Sequence, residues 1–331
     1  MIFFALDQVA GAEYLLPFFL DPEVRETVEY RVFAAKPAAT ALVKHGLEFE
    51  LVQEPDRDRV ADLFRIHGPS KCVVSTTTES ALERAFVRAA KEFGVPCAQL
   101  IDNWVNYAQR FSFQGEVLYP DHILTLDATA RARMIREGIP ADIIRVVGQP
   151  YLEYKLTQGE DAGARTKILA VSQPIDRYYG KSLGYDQWDF LNVCLDACDA
   201  TGTDLALVEV NVHPAEDLQT YRHFLAERRS RAVAMKQSEL RYGDYAHFLG
   251  MFSSVLLHGV LHAVPTASVQ PAARGPDKCF LSEDGLIPRL TDVSAVVAYL
   301  RTGGAAAGVS HLREAVLGSG ARVRTFILHE L

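Results

Sequence analysis

Short apolar runs alternate along this chain with segments of helical period, and that alternation constrains the fold more than any other feature. "IFFAL" (2–6), "YRVFAA" (30–35), "FELVQE" (49–54), "KCVVST" (71–76), "PCAQLI" (96–101) and "HILTLD" (122–127) read as strands. Runs so apolar are buried on both faces, as in a parallel sheet covered by crossover helices. "ESALERAFVRAAKEFG" (79–94) is the clearest such helix: Ala81, Leu82, Ala85, Phe86 and Ala89 share a face, and Gly94 is the stop. "DATARARMIREGIP" (127–140) is a second helix, ending at Gly138. The pattern restarts with strands "KILAVS" (167–172), "DLALVEVNV" (204–212), "RAVAMK" (231–236) and "TASVQ" (266–270), and with helices near 186–200, 215–229, 251–262 and 291–301.

At 331 residues the chain has the length of two ordinary domains. The Gly, Gln and Asp content around 158–165 suits an exposed connection between them. The expected fold class is α/β, with two Rossmann-like domains, 1–155 and 156–331, facing each other across a cleft. Open α/β sheets bind ligands outside the carboxyl ends of their strands.

A formal net charge of −8 argues against a nucleic-acid binder, which needs many Lys and Arg on phosphates. The opening "MIFFALDQVAGAEYLLPFFL" carries Asp7 and Glu13 and lacks a basic start, so it reads as a strand and a helix rather than a signal peptide. No run of about 18 uncharged apolar residues is present. The expected location is cytoplasmic, with attachment at the inner face of the membrane left open. Five scattered cysteines without a CxxC pair fit a reduced compartment. Neither Cys194 and Cys198, nor His258 and His262, is accompanied by the further ligands of a metal site, so none is expected. The stretch His-Gly-Val-Leu-His also lacks the glutamate of a zinc protease.

"GMFSSVLLHGVLHAVP" (250–265) places Gly250, Ser253 and Ser254 before an apolar helical run. One serine suffices to cap a helix, and a second hydroxyl there suits a phosphate. Other strand ends of this half carry "SQPIDR" (172–177), "VHPAED" (212–217) and "KQSELRYGD" (236–244). Ser172, Gln173, His213 and Gln270 thus join the serines as candidates for holding a phosphate leaving group, with His213 as hydrogen-bond donor.

Two segments carry a family resemblance. "PDHILTLDATARARMIREGIPADIIRVVGQPYLE" (120–153) is similar to the segment closing the amino-terminal domain in the GT-B superfamily of glycosyltransferases, which includes the non-hydrolysing nucleotide-sugar 2-epimerases. "GMFSSVLLHGVLHAVPTASVQP" (250–271) resembles the donor-binding helix of that superfamily. His258 stands where many members place a glutamate that grips the donor ribose. His213-Pro214 with Ser253-Ser254 resembles motifs of bacterial sialyl- and polysialyltransferases and capsule enzymes, which implies a cytidine monophosphate sugar donor. Those enzymes carry an acidic pair and glycine before the His-Pro, whereas Glu283-Asp284-Gly285 follows it here.

The resemblance implies a second domain that binds a nucleotide sugar and a first domain that binds a carbohydrate or glycolipid acceptor. Asp7, Gly11 and Glu13 after the first strand, and Asp102, Asn103, Trp104, Asn106 and Tyr107 in "LIDNWVNYAQRF", are the acceptor-side candidates. Trp104 would offer an aromatic platform, and amides and carboxylates would take sugar hydroxyls. The run "STTTES" (75–80) is expected to cap the next helix, with Glu79 in its first turn, and its threonines could touch a sugar. For inverting transfer one carboxylate must accept the acceptor's proton: Asp102 is the first choice, with Asp7 and Glu13 in reserve. The expected function is metal-independent glycosyl transfer in polysaccharide or glycoconjugate synthesis, with no cofactor beyond the nucleotide-sugar substrate. A 2-epimerase and a non-catalytic binding subunit of the same fold remain the alternatives, and the oligomeric state is unspecified.

Overall fold

The computed structural model describes residues 1–331 apart from 54, 79, 114, 158–164, 237–239 and 304–309. Glu79, part of "KQSELRYGD" and the connection after Thr157 therefore lie outside the described residues. The chain forms two compact units, Met1–Thr157 with Leu312–Leu331, and Gln158–His311.

The first unit holds strands β1 (Ile2–Leu6), β2 (Tyr30–Ala34), β3 (Glu50–Leu51), β4 (Lys71–Val74) and β5 (Cys97–Leu100), a small antiparallel hairpin β6 (Ser112–Phe113) and β7 (Glu116–Val117), then β8 (His122–Thr125) and β9 (Ile144–Val146). Seven of them form a parallel sheet in the order β3-β2-β1-β4-β5-β8-β9. The order reverses direction between β1 and β4, so the crevice at a topological switch point opens there. β1 is buried at every position. On one face Phe3 packs against Phe33, Phe64 and Phe86 at centroid distances of 4.9, 5.3 and 6.4 Å. Each such ring contributes roughly 1.5–3 kcal/mol by burial.

The expected helix at 79–94 spans Ala81–Phe93; Ser80 Oγ accepts the Glu83 N–H, and Gly94 closes it at φ +64°. The helix after β8 spans Ala128–Arg136, capped by the Asp127 carboxylate.

The domain boundary needs a correction at the carboxyl end. Residues 312–331, expected with the second half, pack on the first unit. Lys71 Nζ donates to the carbonyls of Ile327 and Leu328 at 2.7 and 2.6 Å, satisfying oxygens left over at the end of the last helix. At the other end of that segment, Glu153 accepts the N–H groups of Gly318 and Gly320. Arg322 Nε donates to the Val147 carbonyl at 3.0 Å, and Arg324 pairs with Asp21 at 2.7 Å.

The second unit holds β10 (Lys167–Val171), β11 (Val208–Val212), β12 (Val233–Lys236), β13 (Tyr245–Gly250), β14 (Thr266–Val269) and β15 (Arg289–Leu290), all parallel, in the order β12-β11-β10-β13-β14-β15. Its switch point lies between β10 and β13, whose registers place Val171 beside Gly250. Cys194 and Cys198 are buried in its core on the helix Gln187–Thr201. Among the described residues no helix is long and apolar enough to cross a membrane.

Candidate functional site

Each unit gathers polar side chains at the carboxyl edge of its sheet. In the second unit, β11 ends at Val212, and His213 follows, half-buried. Its Nδ1 accepts the Ala215 N–H at 3.1 Å. In the neutral ring the proton therefore sits on Nε2, which is left as a donor. Burial, and then the Lys236 ammonium, push the imidazole below its ordinary value. Lys236, the last residue of β12, donates to the Glu216 carbonyl at 2.9 Å.

Ser253 and Ser254 differ in their surroundings. Ser253 Oγ accepts the Val255 N–H at 3.2 Å and so caps the helix Val255–Leu261. Ser254 is exposed and makes no side-chain cap bond. That helix is only seven residues long, which limits the field at its start. Gln173 bridges the switch point, its Oε1 accepting the Phe252 N–H at 3.0 Å. Gly250 is buried under Leu256, which a Cβ would meet at 2.9 Å.

Other expected donor-side groups are engaged inside the unit. Ser172 is 1 % exposed and its hydroxyl bonds that of Tyr221 at 2.7 Å; Tyr221 in turn donates to Glu216 at 2.7 Å. Gln270 is also 1 % exposed, its amide donating to Ser268 Oγ and Asp277 Oδ1 at 2.8 and 2.6 Å. His258 stacks on Tyr242, at the entry to β13, with ring centroids 4.6 Å apart and planes 5° from parallel. His262 stacks on the same ring at 5.4 Å.

In the first unit the edge is acidic. Asp7 follows β1, and its backbone N–H donates to Ser75 Oγ at 3.2 Å. The Asp7 carboxylate accepts from Gln8 at 3.0 Å and from the Thr77 hydroxyl at 3.3 Å. Ser75 donates to Glu83 Oε1 at 2.5 Å, and the Thr77 N–H to Glu83 Oε2 at 2.8 Å. Burial, reinforced by nearby Asp7 and Asp102 against the two hydrogen bonds, pushes the Glu83 carboxyl up to about 8. Asp102 Oδ1 is paired with Arg110 at 2.7 Å, and the same guanidinium nitrogen donates to the Thr76 carbonyl at 2.8 Å.

The remaining acceptor-side residues are placed differently from the simplest expectation. The space beside Gly11 is taken by Ser75, whose Cβ would lie 2.3 Å from an added Cβ, so that glycine serves close packing of helix on loop. Trp104, expected as an open platform, is 5 % exposed; its indole N–H is held by Asp127 at 2.5 Å. A carboxylate within reach inside the unit satisfies that N–H and draws the ring inward. Asn103 accepts the Trp104 N–H at 2.7 Å, and Asn106 adopts φ +60°, a conformation Asn tolerates better than most residues. Tyr107 is 1 % exposed. Glu13, raised by burial, accepts from Tyr151 at 3.1 Å.

Sequence reasoning passed over Glu83, Thr77 and Arg110 as individual groups. Glu83 shares a helix face with Phe86, Val87 and Ala90, all buried. A carboxyl in phase with that apolar stripe was the available signal.

No family model matches the chain, and no curated protein matches it in sequence. Among solved structures it is similar to the UDP-GlcNAc 2-epimerase from Neisseria meningitidis bound to UDP-GlcNAc, at 10% identity over 98% of this chain and 99% of that one, with a TM-score of 0.67. It is similar to the same enzyme from Methanocaldococcus jannaschii, at 10% identity, 100% and 99% coverage and a TM-score of 0.67. The lipopolysaccharide outer core galactosyltransferase WaaB, in its apo form, matches at 12% identity over 100% and 99%, with a TM-score of 0.56. These likenesses show the fold: two Rossmann-like units of the GT-B type, shared by epimerases and glycosyltransferases.

Proposed function

We propose that the protein is a glycosyltransferase that moves a sugar from a nucleotide-sugar donor to an acceptor hydroxyl. The observation that carries this reading is His213, fixed as an Nε2–H donor at the carboxyl end of β11 by the Ala215 N–H. With the exposed Ser254 hydroxyl and the Lys236 charge, it forms a set of donors suited to a departing phosphate. The phosphate would be held by these protein groups, without a metal.

The first unit supplies the base. Asp102 is already engaged by a guanidinium, whereas the Asp7 carboxylate accepts from a neutral amide and a neutral hydroxyl. Asp7 is therefore the carboxylate we assign to the acceptor's proton, with Asp102 and Arg110 orienting sugar hydroxyls beside it. The acceptor is a carbohydrate or glycolipid, and synthesis of a polysaccharide or glycoconjugate at the cytoplasmic side is the setting this chemistry suits.

The test is a thermal-shift screen with UDP, GDP, dTDP, CMP and CDP, followed by turnover with sugars of the nucleotide that raises the melting temperature. Acceptor-dependent nucleotide release, lost in His213→Ala and in Ser254→Ala, is the expected result. Turnover that survives both substitutions refutes the reading. Binding without turnover over a broad donor and acceptor panel would instead identify a non-catalytic subunit.

A second reading is favoured by the higher TM-scores to the 2-epimerases and by three carboxyl groups, Asp7, Glu83 and Asp102, along one sheet edge. Epimerisation moves a proton at a sugar carbon, so deuterium uptake there from heavy water separates it from transfer.

A further inference from the structure

The edge of the first unit contains a feature that neither reaction accounts for. Thr77 carries one hydroxyl proton and faces two carboxyl groups: its Oγ1 lies 3.3 Å from Asp7 Oδ2 and 3.4 Å from Glu83 Oε2. A hydroxyl can donate to only one of them at a time. Asp7 is partly exposed, whereas Glu83 is 1 % exposed.

We infer that Thr77 is a positioning residue linking these two groups: its hydroxyl donates to Asp7 while Glu83 holds a proton, and turns to Glu83 when that proton leaves. The inference takes its functional meaning from the reading of this edge as the acceptor side. Its physical content stands without that reading.

The geometry favours the exchange on both sides. When Glu83 is ionised, Ser75 donates to Oε1, the Thr77 N–H donates to Oε2, and the Thr77 hydroxyl completes the set around a buried charge. Burying a charge without such donors is costly, so the hydroxyl is drawn to it. When Glu83 is neutral, Asp7 is the charged acceptor within reach and takes the bond. The proton on Glu83 thus sets how strongly Asp7 is held, although the two carboxyls do not bond each other.

The charged groups around Glu83 are consistent with a proton retained there into the neutral range. Asp7 from the end of β1 and Asp102 from the end of β5 both act to keep its carboxyl neutral. Arg84, next to it on the helix, is directed to the Phe111 carbonyl and to Glu116. Arg110 is directed to Asp102. On the helix Arg57–His67, which packs along the same helix, Arg57 pairs with Glu92 and Arg65 with Asp62, while His67 lies beside Arg31. Lys71 of β4 is engaged by the carboxyl-terminal carbonyls.

The experiment uses the full chain with carboxyl-carbon labels on Asp and Glu, the Asp7 resonance being assigned through Asp7→Asn. In a titration by nuclear magnetic resonance, the Asp7 resonance is expected to move near pH 8, where Glu83 titrates. That inflection should vanish in Glu83→Gln, fall by at least half in Thr77→Val, and return in Thr77→Ser. An Asp7 resonance that does not move near pH 8 in the unsubstituted protein overturns the inference. So does an inflection of full size in Thr77→Val, which would mean that Glu83 acts on Asp7 through space. If Thr77→Val does not fold, Thr77→Ala takes its place: the inflection must fall by at least half there and be kept in Thr77→Ser, and an inflection of full size in Thr77→Ala overturns the inference. No substrate is needed, so failure of the transferase reading leaves this result intact and the reverse also holds.

Discussion

Replacing Glu83 by Gln should change how stability depends on pH far more than it changes stability in acid. The folded first unit holds this carboxyl up to about 8, against an ordinary 4.5. At about 1.4 kcal/mol for each pH unit, the proton-bearing form contributes on the order of 5 kcal/mol. The contribution is present in full below 4.5, where the group is protonated in the folded and unfolded chain alike. As pH rises the unfolded chain releases the proton first, so stability falls until the folded state releases it too, near 8. Glutamine carries no such proton and packs in nearly the same volume. The difference in unfolding free energy between the two proteins should therefore shift by about 4 kcal/mol between pH 5 and pH 8.5, in favour of Gln at the higher pH. Each unit holds one tryptophan, Trp104 and Trp188. Urea unfolding followed by fluorescence in a Trp188→Phe background thus reads the unit that contains Glu83. Parallel stability curves, within about 0.5 kcal/mol at every pH, would refute the argument that Glu83 keeps its proton when folded.

Three further outcomes follow from the same geometry. Gly11→Ala gains helix propensity of about 1 kcal/mol, but its Cβ would lie 2.3 Å from Ser75 Cβ; overpacking of roughly 1–3 kcal/mol should lower the melting temperature, and Ser75→Gly in the same chain should recover part of the loss. Glu153→Ala removes the acceptor of the Gly318 and Gly320 N–H groups, so a loss of about 1–2 kcal/mol and faster tryptic cleavage within 312–331 are expected, whereas an unchanged cleavage rate would show that the carboxylate does not anchor the segment. Because burial and Lys236 hold His213 below its ordinary value, the ring is neutral at pH 7 and gains a charge only on acidification; calorimetric affinity for the nucleotide that passes the screen should rise as the solution is acidified below the ordinary imidazole range, stay flat in His213→Gln, and begin its rise at higher pH in Lys236→Met.

The strands most visible in the sequence were those in short, mostly apolar runs, such as β5 with only Gln99 inside it. β1, β4, β5, β8 and β10 fall inside the apolar runs, because strands buried on both faces leave no other composition to read. β13, central in the second sheet, was harder to see. His247 interrupts its apolar run, and "YAHFLG" leads directly into the double-serine segment. The return of residues 312–331 to the first unit was not legible either. It depends on long-range acceptors such as Glu153 and on the Lys71 ammonium, and no local pattern announces such partners.

At the candidate sites, position along a strand predicted location but not direction. Ser172 and Gln270 do follow β10 and β14, yet both point into buried hydrogen bonds with Tyr221 and Asp277. A polar side chain at a strand end meets partners from the sequence-distant helices beside it, and which way it turns is decided there. Glu83 shows the converse. An acid three residues after a capping serine reads as ordinary compensation of the helix dipole, and only the tertiary placement of Asp7, Ser75 and Thr77 around it makes it a buried, proton-holding group.

The carboxyl-terminal segment alters how the molecule can be dissected. Residues 1–157 and 312–331 belong to one unit, so the other is an insertion between them rather than a trailing half. Removing residues 312–331, or placing a bulky group within them, perturbs the sheet that begins at residue 2 before it touches the six-stranded sheet of the inserted unit. A fragment cut near residue 155, as the sequence invites, would leave Lys71, Val147 and Glu153 facing water where helix carbonyls, a guanidinium and backbone amides should be.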